Sequence, residues 1–223
     1  MPANKRNAAP DPDSLAAQKL DTKSLARACR QLASQDQMLA EILEEHGIPP
    51  LWNRPPGLAT LVHIILEQQV SLKSAAAING RIKRRCEGRV SAPKLIDIGE
   101  SGLRELGVTR QKSHYIFLLA EAVFDRRLQL KSLLRKTPAE TRTILMEQKG
   151  IGVWTTEVYL LMALCYQDSF PAGDLALIRE LNQQLGSEMD WDEATEYAQR
   201  WQPYRAAAAR ILWLSYLARL DSK

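Results

Sequence analysis

The sequence is poor in cysteine and histidine, with three of each spread over 223 residues. Cys29, Cys86 and Cys165 are odd in number and form no Cys-x-x-Cys pair, so we expect a reduced protein without a disulfide framework. A four-cysteine iron–sulfur cluster is excluded, and the scattered histidines do not form a zinc-binding pattern. The sequence therefore predicts that the protein requires no cofactor.

Long apolar runs are also missing. No uninterrupted run approaches the roughly 18 residues needed to cross a bilayer, and the opening stretch MPANKRNAAPDPDS contains no apolar segment like that of a secretory signal. We expect a protein with no membrane partner that stays where it is made, in the cytoplasm and nucleoid of a bacterium or in the nucleus of a eukaryote. Residues 1–12 are polar, contain three prolines and are predicted to be a flexible tail.

Positive charge is in slight excess, with a formal net charge of +4 and a pI near 9.0. It is concentrated in three segments, residues 81–85, 110–112 and 126–136. This balance is compatible with a polyanionic partner. Each segment taken alone is more typical of a solvated helix face or turn, so charge by itself does not establish such a partner.

Apolar residues recur at helical spacing, and the alternation typical of strands is hard to find. Leu25, Cys29 and Leu32 lie on one face of a first predicted helix, and Ser71 is placed to cap another over Leu72–Arg85. Further helices are predicted around Met38–Leu43, Leu58–Leu66, Pro93–Ile98, Ser101–Leu106, Gln111–Phe124, Pro138–Gln148, Trp154–Cys165, Leu175–Leu185, Asp192–Trp201 and Tyr204–Leu220. The sequence thus predicts an all-α protein of about ten helices.

The most informative segment runs from Leu145 to Thr156, where one helix ends, a Gly150-Ile151-Gly152 turn follows and a new helix begins. Glycine lets the backbone approach a ligand closely, and the start of the second helix offers free N–H groups where a phosphate binds well. Ile151 is expected to fill the space between the two helices. A plain connection with a glycine cap would look the same, because Gly-x-Gly alone is not specific.

The segment resembles the helix-hairpin-helix motif of a DNA glycosylase superfamily, in which a Gly/Pro-rich loop and an aspartate follow downstream. That continuation is present as Asp168-Ser-Phe-Pro-Ala-Gly-Asp174-Leu-Ala-Leu, and two more segments match, residues 65–71 and residues 200–213. Together they are similar to the alkylbase branch, 3-methyladenine DNA glycosylase II, over about residues 55 to 220. Lys149 departs from the motif, which usually has proline there, and we expect no counterpart of the extra N-terminal β-domain of larger members.

The resemblance implies two helical lobes flanking a cleft. We expect one lobe to contain residues 13–54 and 175–223 and the other, with the hairpin, residues 55–174. The implied activity is removal of alkylated purines from double-stranded DNA by a monomer. 3-Methyladenine, 7-methylguanine, ethenoadenine and hypoxanthine all stay open as substrates.

Asp174 follows Pro-Ala-Gly and precedes an apolar helical stretch, so it is placed to be a helix N-cap. The resemblance makes it the catalytic carboxylate, and the two roles are compatible because a helix N-terminus favours an anion. A fixed negative charge stabilises the oxocarbenium character that the sugar acquires as its base departs. The same group can orient or deprotonate the attacking water.

The resemblance also separates two chemistries. Bifunctional members carry a lysine two residues after the second hairpin glycine, and its amine attacks the sugar. Trp154 occupies that position, so water is the expected nucleophile and an intact strand with an abasic site the expected product. Trp154 and Trp213 are predicted to line the base pocket, because alkylated purines are cationic and a tryptophan face attracts cations. Ordinary core packing is the alternative for both.

Three further roles follow from the resemblance. Gln69 takes the position of the wedge that fills the gap left by the flipped base, although it could equally be a surface or capping residue. The DNA phosphate is expected at Lys149, Gly150, Gly152 and Thr155. A monovalent cation, Na⁺ or K⁺, is expected at the main-chain oxygens of Met146, Gln148 and Ile151.

Three rival functions stay open at this point. A non-catalytic helix-hairpin-helix DNA-binding protein would need the hairpin but neither Asp174 nor the tryptophans. A glycosylase for mismatched or oxidised bases usually carries the lysine or the iron–sulfur cluster that this sequence lacks. A helical protein-interaction scaffold would have no salt-dependent affinity for DNA.

Overall fold

The computed structural model describes residues 17–221, so the predicted tail over residues 1–12 lies outside the described residues. Within that range the chain forms eleven α-helices and two short 3-10 helices, and its one strand-like feature is an isolated antiparallel bridge between Lys19 and Tyr166. The predicted all-α fold is confirmed. Between residues 17 and 221 no helix combines the length and the hydropathy that crossing a bilayer requires.

The α-helices are α1 (Thr22–Ala33), α2 (Gln37–His46), α3 (Leu58–Glu67), α4 (Leu72–Arg85), α5 (Ala92–Glu105), α6 (Arg110–Phe124), α7 (Pro138–Met146), α8 (Val153–Met162), α9 (Leu175–Leu185), α10 (Trp191–Tyr197) and α11 (Arg205–Asp221). The 3-10 helices are Leu130–Arg135 and Ala198–Trp201.

Local sequence signals explain where most helices begin. The Ser71 hydroxyl accepts a hydrogen bond from the N–H of Ser74 and so caps α4 as predicted. Gly99, with φ of 65°, divides α5 into two short helical pieces, in agreement with the two helices predicted there. The side chain of Thr137 and that of Glu140 cap the start of α7 reciprocally, which fixes the first helix of the hairpin.

Several elements differ from the prediction. Helix α7 ends at Met146 and not at Gln148, and the helix predicted over Asp192–Trp201 is divided into α10 and the 3-10 helix Ala198–Trp201. Helix α8 ends at Met162, before the predicted end at Cys165, because Cys165 adopts a left-handed φ of 56° and its carbonyl accepts a hydrogen bond from the N–H of Leu20 (2.7 Å). The 3-10 helix over Leu130–Arg135 was not predicted, since its basic residues obscure the buried Leu130 and Leu133.

Apolar side chains form two separate cores. The first is built from α3 to α8, and the second from α1, α2 and α9 to α11. Leu161 of α8 and Phe170 of the following loop belong to the second core, and Met162 packs against both. Helix α8 and the loop after it therefore lie between the two cores.

A buried arginine ties the same region together. Arg210 of α11 donates hydrogen bonds to the carbonyl oxygens of Leu51 (2.9 Å), Leu161 (2.8 Å) and Ala206 (2.9 Å). Burial lowers the pKa of Arg210 to about 10. Since the guanidinium joins the carbonyl groups of Leu51 and Leu161, which lie far from it in the chain, to a carbonyl group of its own helix, it fixes the end of α8 against the second core.

Candidate active site

The turn between α7 and α8 depends on one glycine. Gly150 has φ of 85°, and a Cβ built there would stand 2.2 Å from both Cγ and Cδ2 of Tyr115. The N–H of Ile151 donates to the carbonyl of Gln148 (3.0 Å), and the Ile151 side chain is buried in the first core, where the sequence placed it. The tight turn therefore requires both a residue without a side chain and an apolar residue next to it.

The start of α8 is open to a ligand. Gly152 is its N-cap and supplies no side-chain hydrogen bond, so the first-turn N–H groups have no capping side chain. Lys149 and Gly152 are exposed beside this end. Thr155, in contrast, is buried, and its hydroxyl accepts a hydrogen bond from Gln68 Nε2 (2.9 Å), which leaves only its main chain for the predicted phosphate contact.

The loop from α8 to α9 is held at two points. The buried carboxylate of Glu157 accepts hydrogen bonds from Ser169 Oγ (2.7 Å) and from the N–H of Phe170 (3.3 Å), and it pairs with Arg142 (2.5 Å). At the second point, the residue before Ser169, Asp168, forms a bidentate ion pair with Arg205 (2.7 and 2.8 Å). Such charge-assisted pairs fix geometry well, so the residues that follow start from a rigid anchor.

Asp174 stands at the end of this loop as the N-cap of α9. Its Oδ1 accepts hydrogen bonds from the N–H groups of Ala176 (3.0 Å) and Leu177 (3.1 Å). The side chain is half-buried, so it is ordered by the helix and is still accessible. This is the geometry in which a helix N-terminus stabilises an anion.

Two tryptophans converge on the same carboxylate. Trp154 Nε1 donates to Asp174 Oδ2 (3.0 Å), and Trp213 Nε1 donates to Asp174 Oδ1 (3.2 Å). Trp154 is half-buried at the start of α8, while Trp213 is part of the second core. Oδ2 has a single donor within residues 17–221, so it can accept a further hydrogen bond, for example from a water molecule.

The turn between α3 and α4 carries Gln69, which is exposed with a left-handed φ of 54°. Its neighbour Gln68 joins this turn to the hairpin, because Gln68 Nε2 donates both to the Gly150 carbonyl (3.0 Å) and to Thr155 Oγ1. Lys112 of α6 holds the turn from the other side by donating to the carbonyls of Leu66 (2.8 Å) and Gln68 (2.6 Å). Burial lowers the pKa of Lys112.

Sequence analysis missed Gln68 and Lys112 as positioning residues. Their contacts join segments that lie far apart in the chain, and neither belongs to a local motif. Gln68 stands inside the matched segment over residues 65–71, which was the one signal that could have pointed to it.

We expect Lys112→Met to weaken both the fold and the DNA binding that the family resemblance implies. The carbonyls of Leu66 and Gln68 would lose their donor, at a cost of about 1–3 kcal/mol in the free energy of unfolding. Misplacing a substrate-contacting group by about 1 Å can lower a reaction rate by about 10²-fold. Because the variant displaces the turn beside the hairpin, its affinity for a duplex with an abasic site should fall about tenfold. Thermal unfolding and fluorescence anisotropy measure the two effects.

Lys94→Met is the control for that change. Lys94 Nζ also donates to a carbonyl at a helix end, that of Cys86 after α4 (2.8 Å), and to Glu87 (2.7 Å). It should lower stability but leave DNA affinity unchanged. Equal losses of DNA affinity in both variants would show that Lys112 acts only through general stability.

A third tryptophan near Asp174 was also missed. A Cβ built on Gly173 would meet Trp191 Cε3 at 3.3 Å and Trp154 Cβ at 3.9 Å, so a space no larger than a methyl group separates these two residues. Trp191 stands at the start of α10 and has no spacing relation to the loop that would have linked it to Asp174.

Comparisons with known proteins identify relatives over most of the chain. A family model described as HhH-GPD superfamily base excision DNA repair protein matches residues 62–204. Alkylbase DNA glycosidase-like protein mag2 from Schizosaccharomyces pombe is 26% identical over 195 residues, covering 84% of this chain and 92% of that protein. The probable bifunctional transcriptional activator/DNA repair enzyme AlkA from Mycobacterium tuberculosis is 28% identical over 215 residues, covering 86% of this chain but only 43% of that protein. The crystal structure of a DNA-3-methyladenine glycosidase from Bacillus halodurans superposes with a TM-score of 0.70 at 29% identity, covering 87% of this chain and 91% of that one.

Proposed function

Because the chain belongs to the HhH-GPD superfamily of base excision DNA repair proteins, we propose that it is a monofunctional DNA glycosylase that removes alkylated purines from duplex DNA. Relatives named as an alkylbase DNA glycosidase-like protein and a DNA-3-methyladenine glycosidase support a base-excision glycosylase. The observation that carries the proposal is the convergence of Trp154 and Trp213 on Asp174, one loop beyond a glycine turn.

The target nucleotide has to rotate out of the duplex to reach this carboxylate, at a cost of about a few kcal/mol. The C1′–N bond then breaks, and its electron pair leaves with the base. The negative charge of Asp174 stabilises the cationic sugar that forms. A water oxygen bonds to C1′ while Asp174 takes a proton from that water, which gives the free base and an abasic site.

The tryptophans favour alkylated purines as substrates. Alkylation at a ring nitrogen makes the base cationic, and an indole face attracts a cation. A cationic base is also a good leaving group, so the site has little need of a general acid to protonate it. Trp154 is anchored to Asp174 through its indole N–H, which places an aromatic ring directly beside the reacting atoms.

Trp154 also makes strand cleavage by a lyase reaction unavailable to this site. An amine nucleophile needs a free nitrogen lone pair, whereas the lone pair of an indole nitrogen belongs to the aromatic ring and its N–H is bound to Asp174. Trp154 therefore cannot form a covalent imine with the sugar, and water is left to attack.

The hairpin is the proposed phosphate site. The uncapped N–H groups that follow Gly152, together with exposed Lys149, supply hydrogen bonds and positive charge. Met146 ends α7, so its carbonyl is one of those that a helix leaves without an internal partner. The main-chain oxygens of Met146, Gln148 and Ile151 are the proposed ligands of a Na⁺ or K⁺ ion. When bound, such an ion would add positive charge beside the phosphate. Gln69, exposed on the neighbouring turn, is the proposed wedge.

The products test the proposal directly. Wild-type protein should release free methylated purine from dimethyl-sulfate-treated duplex DNA and leave abasic sites that break only after heating or treatment with base. Borohydride added during the reaction should trap no protein–DNA adduct, because no imine forms. Nicked DNA without heating, or a trapped adduct, would contradict the water mechanism. Absence of base release would contradict the substrate assignment.

A further inference from the structure

Trp191 is a large apolar side chain left open to solvent. It is 62% exposed, and an exposed indole offers a large, rigid apolar face to a ligand. Its ring packs against Gly173, the residue before Asp174, and lies across a methyl-sized space from Trp154. The exposed face of this indole therefore stands at the edge of the site that holds the carboxylate.

The backbone around Trp191 is fixed, so the ring does not owe its exposure to a loose segment. Asn182 of α9 binds Met189 twice, donating to its carbonyl (2.9 Å) and accepting from its N–H (2.8 Å). Asp190 then caps α10 by accepting from the N–H groups of Asp192 (2.9 Å) and Glu193 (3.0 Å). Helix α9, which Asp174 caps, thus holds the start of α10 in place.

A rigid, exposed aromatic residue is preorganised for stacking, because little conformational freedom is lost when a ligand covers it. Bases stack on such rings regardless of their sequence, and a cationic base gains additional attraction from the electron-rich face. Trp154 and Trp213 have their N–H groups engaged by Asp174, whereas the ring of Trp191 is free to receive a ligand on its open face.

We propose that Trp191 is a third aromatic contact for the flipped, alkylated base, at the mouth of the site. This inference rests on the proposed glycosylase function and adds a determinant of substrate recognition to it. Trp191 acts on binding of the damaged nucleotide and not on cleavage of the glycosidic bond, since the nearest reacting group, Asp174, is held by other residues.

The test uses the full chain and dimethyl-sulfate-treated duplex DNA. Trp191→Ala should lower kcat/KM for release of 7-methylguanine about tenfold, chiefly through KM. Trp191→Phe should recover most of that loss because it restores an aromatic face. Affinity for undamaged duplex should stay at the wild-type value, because the open face of the ring is proposed to contact only the extruded base. The melting temperature should change little, because most of the ring is exposed.

Phe124→Ala is the matched control. Phe124 is 58% exposed at the far end of α6, about 18 Å along that helix from Lys112, and its removal should change nothing. Wild-type kcat/KM in Trp191→Ala would overturn the inference, as would an equal loss of affinity for undamaged duplex, which would make Trp191 a general DNA contact. If the wild type itself released no base, the proposed function would fail and this inference with it. If the wild type were active and Trp191→Ala equally active, only this inference would fail.

Discussion

Replacing Asp174 by Asn should lower the rate of base release by about 10²–10³-fold, the scale on which removing one preorganised electrostatic interaction acts. The amide oxygen can keep the N-cap hydrogen bonds with Ala176 and Leu177, because asparagine caps helices as well as aspartate does. What is lost is the negative charge beside C1′ and the acceptor for a proton from water. Affinity for DNA should be retained, so the variant separates binding from chemistry.

The structure contains a second carboxylate in the same local arrangement, which makes a close control. Asp36 is the N-cap of α2, accepting from the N–H of Leu39 (3.2 Å), and its other oxygen accepts from Trp201 Nε1 (2.8 Å). Asp36→Asn therefore makes the same chemical change at a residue that binds Trp201 of the second core. In both variants the new amide nitrogen would face an indole N–H, so that two donors would meet. We expect it to cost stability comparable to that of Asp174→Asn and to leave base release intact.

Single-turnover release of methylated purine and thermal unfolding are the two measurements. An Asp174→Asn protein that keeps a tenth or more of the wild-type rate would remove the carboxylate from the chemistry. The outcome would then favour the rival view of a DNA-binding protein that needs only its hairpin.

The second large effect is expected at Gly150. An alanine there would combine a left-handed φ of 85° with a Cβ 2.2 Å from the Tyr115 ring. Strain and overpacking together should lower the free energy of unfolding by about 2–4 kcal/mol, which corresponds to a fall of about 5–15 °C in the melting temperature. Affinity for duplex DNA should fall as well, because the turn that aims the N–H groups is distorted.

Gly152→Ala is the natural partner of that variant. Gly152 has φ of −96°, and no atom lies within 4 Å of a Cβ built on it, so alanine is accommodated by the protein itself. Its melting temperature should stay within a few degrees of the wild-type value, yet affinity for duplex DNA should fall about tenfold, because the methyl group stands where a phosphate approaches the helix end. Wild-type affinity in Gly152→Ala would place the phosphate elsewhere.

Local signals were sufficient for the helices and for two backbone features of the candidate site, the glycine turn and the N-cap at Asp174. Glycine spacing located the hairpin, and the stretch before Asp174 revealed a helix N-cap, because these features depend on neighbouring residues alone. Helix-period apolar residues likewise separated helix from strand. The prediction that Ile151 fills the space between the hairpin helices is confirmed by its burial.

The contacts that hold the site were not predictable in this way. Gln68 meets Gly150, and Lys112 meets the carbonyl of Gln68, across long separations in sequence that no periodicity encodes. Trp191 approaches Gly173 only because Asn182 fixes the chain that follows α9. Helix α8 ends early for the same reason, because the N–H of Leu20, far away in the sequence, donates a hydrogen bond to the carbonyl of Cys165.

Residues 18–20, at the beginning of the described chain, support the loop that leads to Asp174. Leu20 donates to Cys165, and the N–H of Gln167 donates to the carbonyl of Gln18 (2.9 Å), immediately before the ion pair of Asp168 with Arg205. Removing residues 1–20 would abolish both hydrogen bonds. The shortened protein would retain every residue proposed to contact the substrate and still lose part of the support beneath Asp174.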